Sequence, residues 1–194
     1  MRFHREFVFN PMIMFIMAVC LTSSVIVVIT YRGPSSWLGI LIGMVIYAVM
    51  EYLIHRFVLH QFPRIAPAMY RGHVEHHLHP TDTKHLFSAV PYDIGAYTVL
   101  FLILYIFSRD LPFIFAIIAG TSLYQLYYQW MHYVAHRPIT PMTPWGRWMK
   151  KKHLLHHHLD EFSWYGVSHP FLDVLLGTDK PQPPYKNKPT SRSD

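Results

Sequence analysis

Cysteine is almost absent from this sequence of 194 residues, in which Cys20 is the only example. A single cysteine excludes a disulfide within the chain and any metal site built from several thiolates. Charged residues are also scarce, at 14% of the chain, whereas 52% of the residues are hydrophobic. Soluble domains carry about 25% charged residues, so this composition predicts an integral membrane protein.

Four predominantly apolar stretches are each long enough to cross a bilayer as a helix. The short turns "YRGPSS" and "SRDLP" join the first stretch to the second and the third to the fourth, so we expect two helical hairpins. The predicted fold class is all-α and integral to the membrane, with a helical, histidine-rich cap on the cytosolic side. The predicted helices cover residues 8–31, 35–60, 90–108 and 111–136.

The basic residues are distributed unevenly along the chain. Of 17 lysines and arginines, only Arg32 and Arg109 fall in the two hairpin turns. The positive-inside rule therefore places both termini and the cap in the cytosol, at a bacterial inner membrane or the endoplasmic reticulum. This asymmetry and contact with anionic headgroups explain the formal net charge of +6, so we expect no nucleic acid partner. Residues 1–180 are expected to form one domain and residues 181–194 a disordered tail.

Histidine, by contrast, is abundant: 15 occur, and ten of them form two similar sets. Each set combines a pair at the end of a predicted membrane helix, "HRFVLH" or "HYVAH", with an H-x-x-H-H motif, "HVEHH" or "HLLHH". Residues three or four apart share a face of a helix, so most of these spacings bring imidazoles together. His55 and His60 are an exception, since five residues turn about 140° around an ideal helix. Their rings need either an unwound helix end or two different metals.

Clustered imidazoles indicate a transition-metal site, because neutral imidazole is the commonest protein ligand for such metals. Ten nitrogens exceed the four ligands of a structural zinc site and divide more readily between two metals with about five ligands each. An octahedral iron with five protein ligands keeps one position open. The predicted ligands are His55, His60, His73, His76, His77, His132, His136, His153, His156 and His157.

Other polar residues lie near these histidines in the sequence and are candidates for holding their free ring N–H groups. Glu51 and Glu75 fall within the histidine sets, and Asp160 follows the last one. We expect the supporting residues to come mainly from Glu75, His79, Asp82, His158, His169 and Asp173.

The order "HRFVLH", "HVEHH", "HYVAH", "HLLHH" resembles the membrane fatty acid hydroxylase and sterol desaturase superfamily, over roughly residues 35–180. The stretches "HHLHPTDTKHLFSAVP" and "YGVSHPFLDVLLGT" are most similar to its fatty acid 2-hydroxylase branch. The resemblance implies a membrane-bound non-haem diiron oxygenase, with the ten histidines as ligands of two iron ions and O2 as co-substrate. Zinc can replace iron in purified samples, because a nitrogen-rich site binds zinc more tightly than iron(II).

The implied reaction is hydroxylation of a lipid acyl chain, at carbon 2, with a membrane lipid as substrate. Some relatives carry a fused cytochrome b5 domain, and no such haem segment occurs in these residues, so the expected electron source is a separate redox donor protein. Hydroxylation of a carotenoid or sterol, and desaturation on the same metal centre, stay open. A metal-transporting or metal-storing membrane protein is an alternative of another class, but its ligands are expected midway through the bilayer.

Overall fold

Helices make up all of the regular structure in the computed structural model, which describes residues 2–182; no strand occurs among them. Most of the predicted tail, residues 183–194, lies outside this described range. The elements are α1 (Arg2–Val8), α2 (Pro11–Ile29), α3 (Pro34–Leu53), a π-helix (Ile54–Gln61), α4 (Pro67–Leu78), α5 (Val90–Ser108), α6 (Leu111–Ala135), α7 (Pro144–His158) and α8 (Phe171–Leu175). Four of them are long and apolar enough to cross a membrane: α2, α3 with its π-helical continuation, α5 and α6.

The first membrane helix begins later than the predicted residue 8. α1 ends at Val8, and Asn10 starts a new helix because its side-chain oxygen accepts a hydrogen bond from the Met12 backbone N–H at 3.0 Å. Pro11 takes the first helical position, where its missing N–H costs no hydrogen bond. The bounds of α5 agree with the prediction, and α6 ends one residue earlier than predicted, at Ala135.

The second membrane helix changes its hydrogen-bonding pattern without ending. α3 runs to Leu53 and continues as the π-helix, in which backbone N–H groups bond to carbonyl oxygens five residues earlier. At its end, the Phe62 N–H donates to the Phe57 carbonyl oxygen at 2.7 Å. The predicted helix over residues 35–60 is therefore continuous, but its histidine-bearing end is wider than an α-helix.

α6 is the central helix of the bundle and packs mainly against α3 and α2. Its contact with α3 is close because both helices present glycine. A Cβ atom at Gly43 would collide with the Ile117 carbonyl oxygen, and one at Gly120 with the Ile40 carbonyl oxygen. Small residues allow such backbone contact between membrane helices. The Thr121 hydroxyl adds a hydrogen bond of 3.2 Å to the Gly43 carbonyl oxygen.

The two short turns lie side by side at one end of the bundle, where Arg32 and Asp110 form an ion pair of 3.0 Å. The first and last described residues lie at the opposite end, with the histidines. Glu6 pairs with Arg137, just beyond α6, and the Gln182 backbone N–H bonds to the loop that follows α7. The hairpin pairing and the cytosolic position of the cap stay predictions.

Replacing Gly43 with alanine is expected to destabilise the bundle by about 1–3 kcal/mol, because the added methyl group forces α3 away from α6. The matched control is Gly95→Ala in α5, where an added Cβ atom meets nothing within 4 Å. Thermal unfolding of the detergent-solubilised protein measures both effects. Equal melting temperatures for the two variants would contradict the close contact between α3 and α6.

Candidate metal centre

The ten predicted ligand histidines gather at one end of the bundle in two groups of five. Within each group, the nitrogens that can bind a metal all lie within 4.8 Å of one another. Group one consists of His55, His60, His73, His77 and His156, and group two consists of His76, His132, His136, His153 and His157. Most of these side chains are buried, so the groups lie inside the protein rather than on its surface.

Each group takes four histidines from one sequence set and one from the other. The exchanged residues are His76 and His156, the middle histidines of the two H-x-x-H-H motifs. On α4, His73 and His77 are one turn apart and share a face, whereas His76 points about 100° away from His77. α7 repeats this arrangement, so each of these two helices contributes to both groups and the two groups interlock.

The π-helix brings His55 and His60 into the same group. An α-helix would separate their directions by about 140°. In a π-helix, residues five apart are hydrogen-bonded neighbours on successive turns, and the two ring centroids lie 5.2 Å apart. Of the two alternatives left open by the spacing, the structure favours a local departure from the α-helix and places both rings in group one.

The ring nitrogens are spaced as the ligands of a single ion are. The Nε2 atom of His60 lies 2.9 Å from that of His73 and 3.2 Å from that of His156. In group two, the Nε2 atoms of His136 and His153 are 2.8 Å apart. Two nitrogens bound at right angles to one metal, each at about 2.1 Å, are separated by about 3 Å. Both groups therefore fit a metal ion in octahedral geometry.

Backbone carbonyl groups orient two rings of group one. The Nδ1 atom of His55 lies 2.6 Å from the Tyr165 carbonyl oxygen, and that of His156 lies 2.7 Å from the Ser163 carbonyl oxygen. A carbonyl oxygen only accepts, so Nδ1 carries the hydrogen in both rings and Nε2 carries a lone pair. The Nε2 atom of His55 is buried and has no hydrogen-bond partner among the described residues. A metal ion in group one would give this atom a partner.

Two buried carboxylates hold the segment that supplies the Tyr165 carbonyl. They bind four consecutive backbone N–H groups, those of residues 165–168. Asp173 accepts the first two at 2.9 and 2.8 Å, and Glu51 accepts the last two at 3.1 and 3.0 Å. Because four consecutive N–H groups are bound to fixed carboxylates, this arrangement holds the Tyr165 carbonyl oxygen in place beside His55.

Burial and mutual repulsion keep the imidazoles outside the membrane helices neutral. Burial lowers the pKa of His77 to about 4. Burial, with repulsion from neighbouring imidazoles, lowers the pKa of His76 to about 2 and that of His136 to about 3. The same causes hold the pKa of His153 well below its ordinary value. At neutral pH these rings are uncharged, which is the form that binds a metal.

The residues predicted to support the ligands lie in three different situations. Four of them are exposed, which gives no support to that role: Glu75, His79, Asp82 and His158. His169 is half-buried, and its Nε2 atom lies 3.0 Å from the Ala48 carbonyl oxygen in α3 rather than near the two groups. Asp173 is buried and supports His55 through the backbone at Tyr165 rather than through the ring itself.

Sequence reasoning missed the carbonyl oxygens of Ser163 and Tyr165, because a backbone atom performs this role for any residue type. The importance of Glu51 could have been predicted from the sequence, although its hydrogen-bond partners could not. It lies one helical turn before His55, within a predicted membrane helix, where a carboxylate is costly unless it is paired. Its side chain accepts a further hydrogen bond of 2.5 Å from the Ser168 hydroxyl.

An apolar cavity of about 820 Å³ extends from the two groups between the membrane helices. Its walls come mainly from α3 with its π-helical continuation, α4, residues 84–89, α5 and α6. On α6 the lining runs from His132 to Thr121, eleven residues away, so the cavity is about 16 Å deep. Four candidate ligands line the end of the cavity nearest the metal centre, two from each group: His55, His73, His76 and His132.

The family model for fatty acid hydroxylases matches residues 40–178, a range that contains all ten histidines. This chain belongs to the fatty acid hydroxylase family. The resemblance predicted from the histidine motifs is therefore confirmed. The fold agrees: the hydroxylase domain visible in the structure of full-length scs7p superposes with a TM-score of 0.73 at 24% identity, covering 87% of this chain and 66% of that one.

Curated relatives of this family member include two 2-hydroxylases. Fatty acid 2-hydroxylase from Rattus norvegicus is 30% identical over 158 residues, which cover 76% of this chain and 41% of the relative. Dihydroceramide fatty acyl 2-hydroxylase FAH2 from Arabidopsis thaliana is 27% identical over 148 residues, which cover 75% of this chain and 62% of the relative. The chain thus spans less than two thirds of the length of either protein.

Two double variants test the division into groups. His73 and His77 belong to group one, so replacing both with alanine is expected to leave about one chelator-resistant metal per chain. His76 and His77 belong to different groups, so replacing that adjacent pair is expected to weaken both sites and leave none. Elemental analysis after dialysis against a chelator distinguishes the two results. Equal metal content in the two double variants would contradict the crossed arrangement.

Asp173→Asn is expected to weaken metal retention in group one by roughly 10- to 100-fold, because the amide cannot accept every hydrogen bond of the carboxylate and the Tyr165 carbonyl loses its fixed position. Asp93→Asn is the matched control. Like Asp173, this buried carboxylate accepts a hydrogen bond at each of its two oxygens, here from the side chains of Ser88 and Gln125. It lies on α5, which carries no candidate ligand. Chelator titration should release one metal early from the first variant only; parallel release from both would refute the supporting role.

Proposed function

We propose that this protein hydroxylates a lipid acyl chain with two iron ions, one held by each histidine group. One observation carries the proposal: the apolar cavity, which suits an acyl chain, ends at histidines of both groups. The family membership and the two 2-hydroxylase relatives support the same reaction. Bound iron would supply the activation of O2 that insertion into a C–H bond requires.

The chain's own residues perform the remaining tasks. The imidazoles would hold the metals as neutral ligands, and five nitrogens per metal would leave room for O2 or water to bind. Met50, Ile54 and Leu59 line the cavity close to the end nearest the metal centre. Their apolar side chains exclude water and confine the methylene groups of the substrate beside the metals.

We place the reacting carbon near the carboxyl end of the acyl chain, at carbon 2. A bilayer core of about 30 Å equals about 20 helical residues. Counted from the Arg32–Asp110 ion pair, this length ends near Leu53 on α3 and Trp130 on α6. The histidine groups begin just beyond these residues, level with the lipid headgroups. An acyl chain anchored there by its polar end would present its first carbons to the metals and extend its tail down the cavity.

The substrate is proposed to enter from the bilayer between α3 and α5. Both helices line the cavity, yet each packs on α6 more than on the other. α5 is largely exposed along its length, since only 6% of its 18-residue apolar stretch is buried. A lipid can therefore reach the cavity sideways without first crossing the aqueous phase.

The electrons are proposed to come from a separate redox donor protein on the cytosolic side. One atom of O2 enters the C–H bond and the other leaves as water, which consumes two electrons and two protons from the donor and solvent. The histidine end is assigned to the cytosol because the opposite end carries only Arg32 and Arg109 of the basic residues. A bacterial inner membrane or the endoplasmic reticulum offers this orientation.

Expression in a host that lacks this activity is expected to yield lipids whose acyl chains have gained one oxygen near the carboxyl end, located by fragmentation mass spectrometry. His156→Ala is expected to abolish this product, because group one loses a ligand. His4→Ala is the control: its ring stacks on Trp130 at 5.6 Å, outside both groups, and activity should persist. A mid-chain double bond, or oxygen on a sterol or carotenoid ring, would instead identify a different reaction or substrate.

A further inference from the structure

The segment that contains α8 exposes an unusual amount of apolar surface. Phe171, Val174 and Leu175 are 67%, 62% and 65% exposed, and Leu176 is 46% exposed. Four large apolar side chains within six residues form one continuous patch. A patch of this kind on a protein surface marks contact with a partner or with a membrane.

Two contacts fix the height of this segment relative to the membrane helices. The Nε2 atom of His169 lies 3.0 Å from the Ala48 carbonyl oxygen on α3. The hydroxyl of the preceding residue, Ser168, lies 3.0 Å from the Tyr124 hydroxyl on α6. Both partners belong to membrane helices, so residues 168 and 169 lie against the bundle and not above it.

The depth of these partners can be measured from the cytosolic end of the apolar core. That end lies near Leu53 on α3 and Trp130 on α6, one bilayer thickness from the Arg32–Asp110 pair. Ala48 is five residues inside Leu53, about 7 Å, and Tyr124 is six residues inside Trp130, about 9 Å. Counting along either helix thus gives a similar depth for residues 168 and 169, although the two helices run in opposite directions. The chain enters α8 from within the hydrocarbon layer.

The polar side chains of Asp173 and Thr178 are hydrogen-bonded inside the protein, as lipid surroundings require. Asp173, the acidic residue of α8, is 2% exposed and accepts hydrogen bonds from two backbone N–H groups and from the Thr178 hydroxyl. The Thr178 backbone N–H in turn donates to the Asp173 carbonyl oxygen at 2.8 Å. α8 therefore turns its polar side towards the protein and its apolar side outwards.

The chain returns from this depth at Thr178 and Asp179. The Thr178 side chain lies 2.8 Å from the Tyr52 hydroxyl, at the end of α3. The next carbonyl oxygen, that of Asp179, accepts a hydrogen bond from the Lys152 ammonium group on α7, outside the bilayer core. Residues 165–178 thus descend from the histidine level, where the Tyr165 carbonyl oxygen lies beside His55, and return to it on the same side.

We propose that residues 170–176 form a re-entrant segment in the cytosolic leaflet, with the acyl chains of the bilayer as the partner of the patch formed by Phe171, Val174, Leu175 and Leu176. Lipid is favoured over protein because the patch is continuous in height with the lipid-facing surfaces of α3 and α6. The proposal does not depend on which reaction the metal centre performs.

Site-directed spin labelling tests the proposal on the full chain in phosphatidylcholine vesicles. Because Cys20 is the only cysteine, Cys20→Ser provides a clean background. A nitroxide is attached to the cysteine of Leu175→Cys. The matched control is Leu159→Cys, a leucine of similar exposure (62% against 65%) that lies two residues after the candidate ligand His157, at the histidine level. Wild-type metal content in each labelled variant verifies that the fold is intact.

The label at position 175 is expected to be relaxed by O2, which concentrates in the bilayer, and protected from a water-soluble nickel chelate. Its O2-to-nickel accessibility ratio should exceed that at position 159 several-fold. Ready access of the nickel chelate to position 175 would place α8 in water and overturn the proposal. Protection from both reagents would also overturn it, since a protein surface such as a second copy of the chain would then cover the patch.

Discussion

The exchange of His76 and His156 between the two groups constrains the rest of the structure. Neither half of the chain can complete a five-nitrogen site by itself, because each group takes its fifth ring from the other half. α4 and α7 must therefore face each other, while the π-helix and the end of α6 present their histidines at the same height. The close backbone contacts at Gly43 on α3 and at Gly120 on α6 fix the relative height of these two helices. A glycine contact deep in the membrane thus serves the geometry of the metal centre.

The two groups are not supported equally. In group one, the carbonyl oxygens of Ser163 and Tyr165 set the orientation of two rings. In group two, the Nδ1 atoms of His76 and His153 are buried without a hydrogen-bond partner in the described part of the chain. A ring that the protein already orients loses less freedom when it binds a metal. A metal that binds to group two must therefore order more imidazole rings than one that binds to group one.

Repeated local patterns were predictable from the sequence, and contacts between distant segments were not. The apolar stretches gave four membrane helices, with α5 correct at both ends, and the histidine motifs identified the ten residues that converge. The spacing of His55 and His60 indicated either an unwound helix end or two different metals, and it did not predict a π-helix. The assignment of His76 to the opposite group depends on how α4 meets α7, which no local spacing determines. The supporting carbonyl groups of Ser163 and Tyr165 could not be predicted, because every residue type carries a backbone carbonyl.

Asp173 connects the membrane surface of the protein to its metal centre. It lies on α8, where Phe171, Val174 and Leu175 are exposed, and it binds the N–H group of Tyr165, whose carbonyl oxygen orients His55. Only a few covalent and hydrogen bonds therefore separate the apolar patch on α8 from a ring of group one. If lipid holds α8 in place, it also limits the movement of that ring. The bilayer would then support the structure of group one as well as supply the proposed acyl substrate, which gives a physical reason for the proposed position of this centre at the membrane boundary.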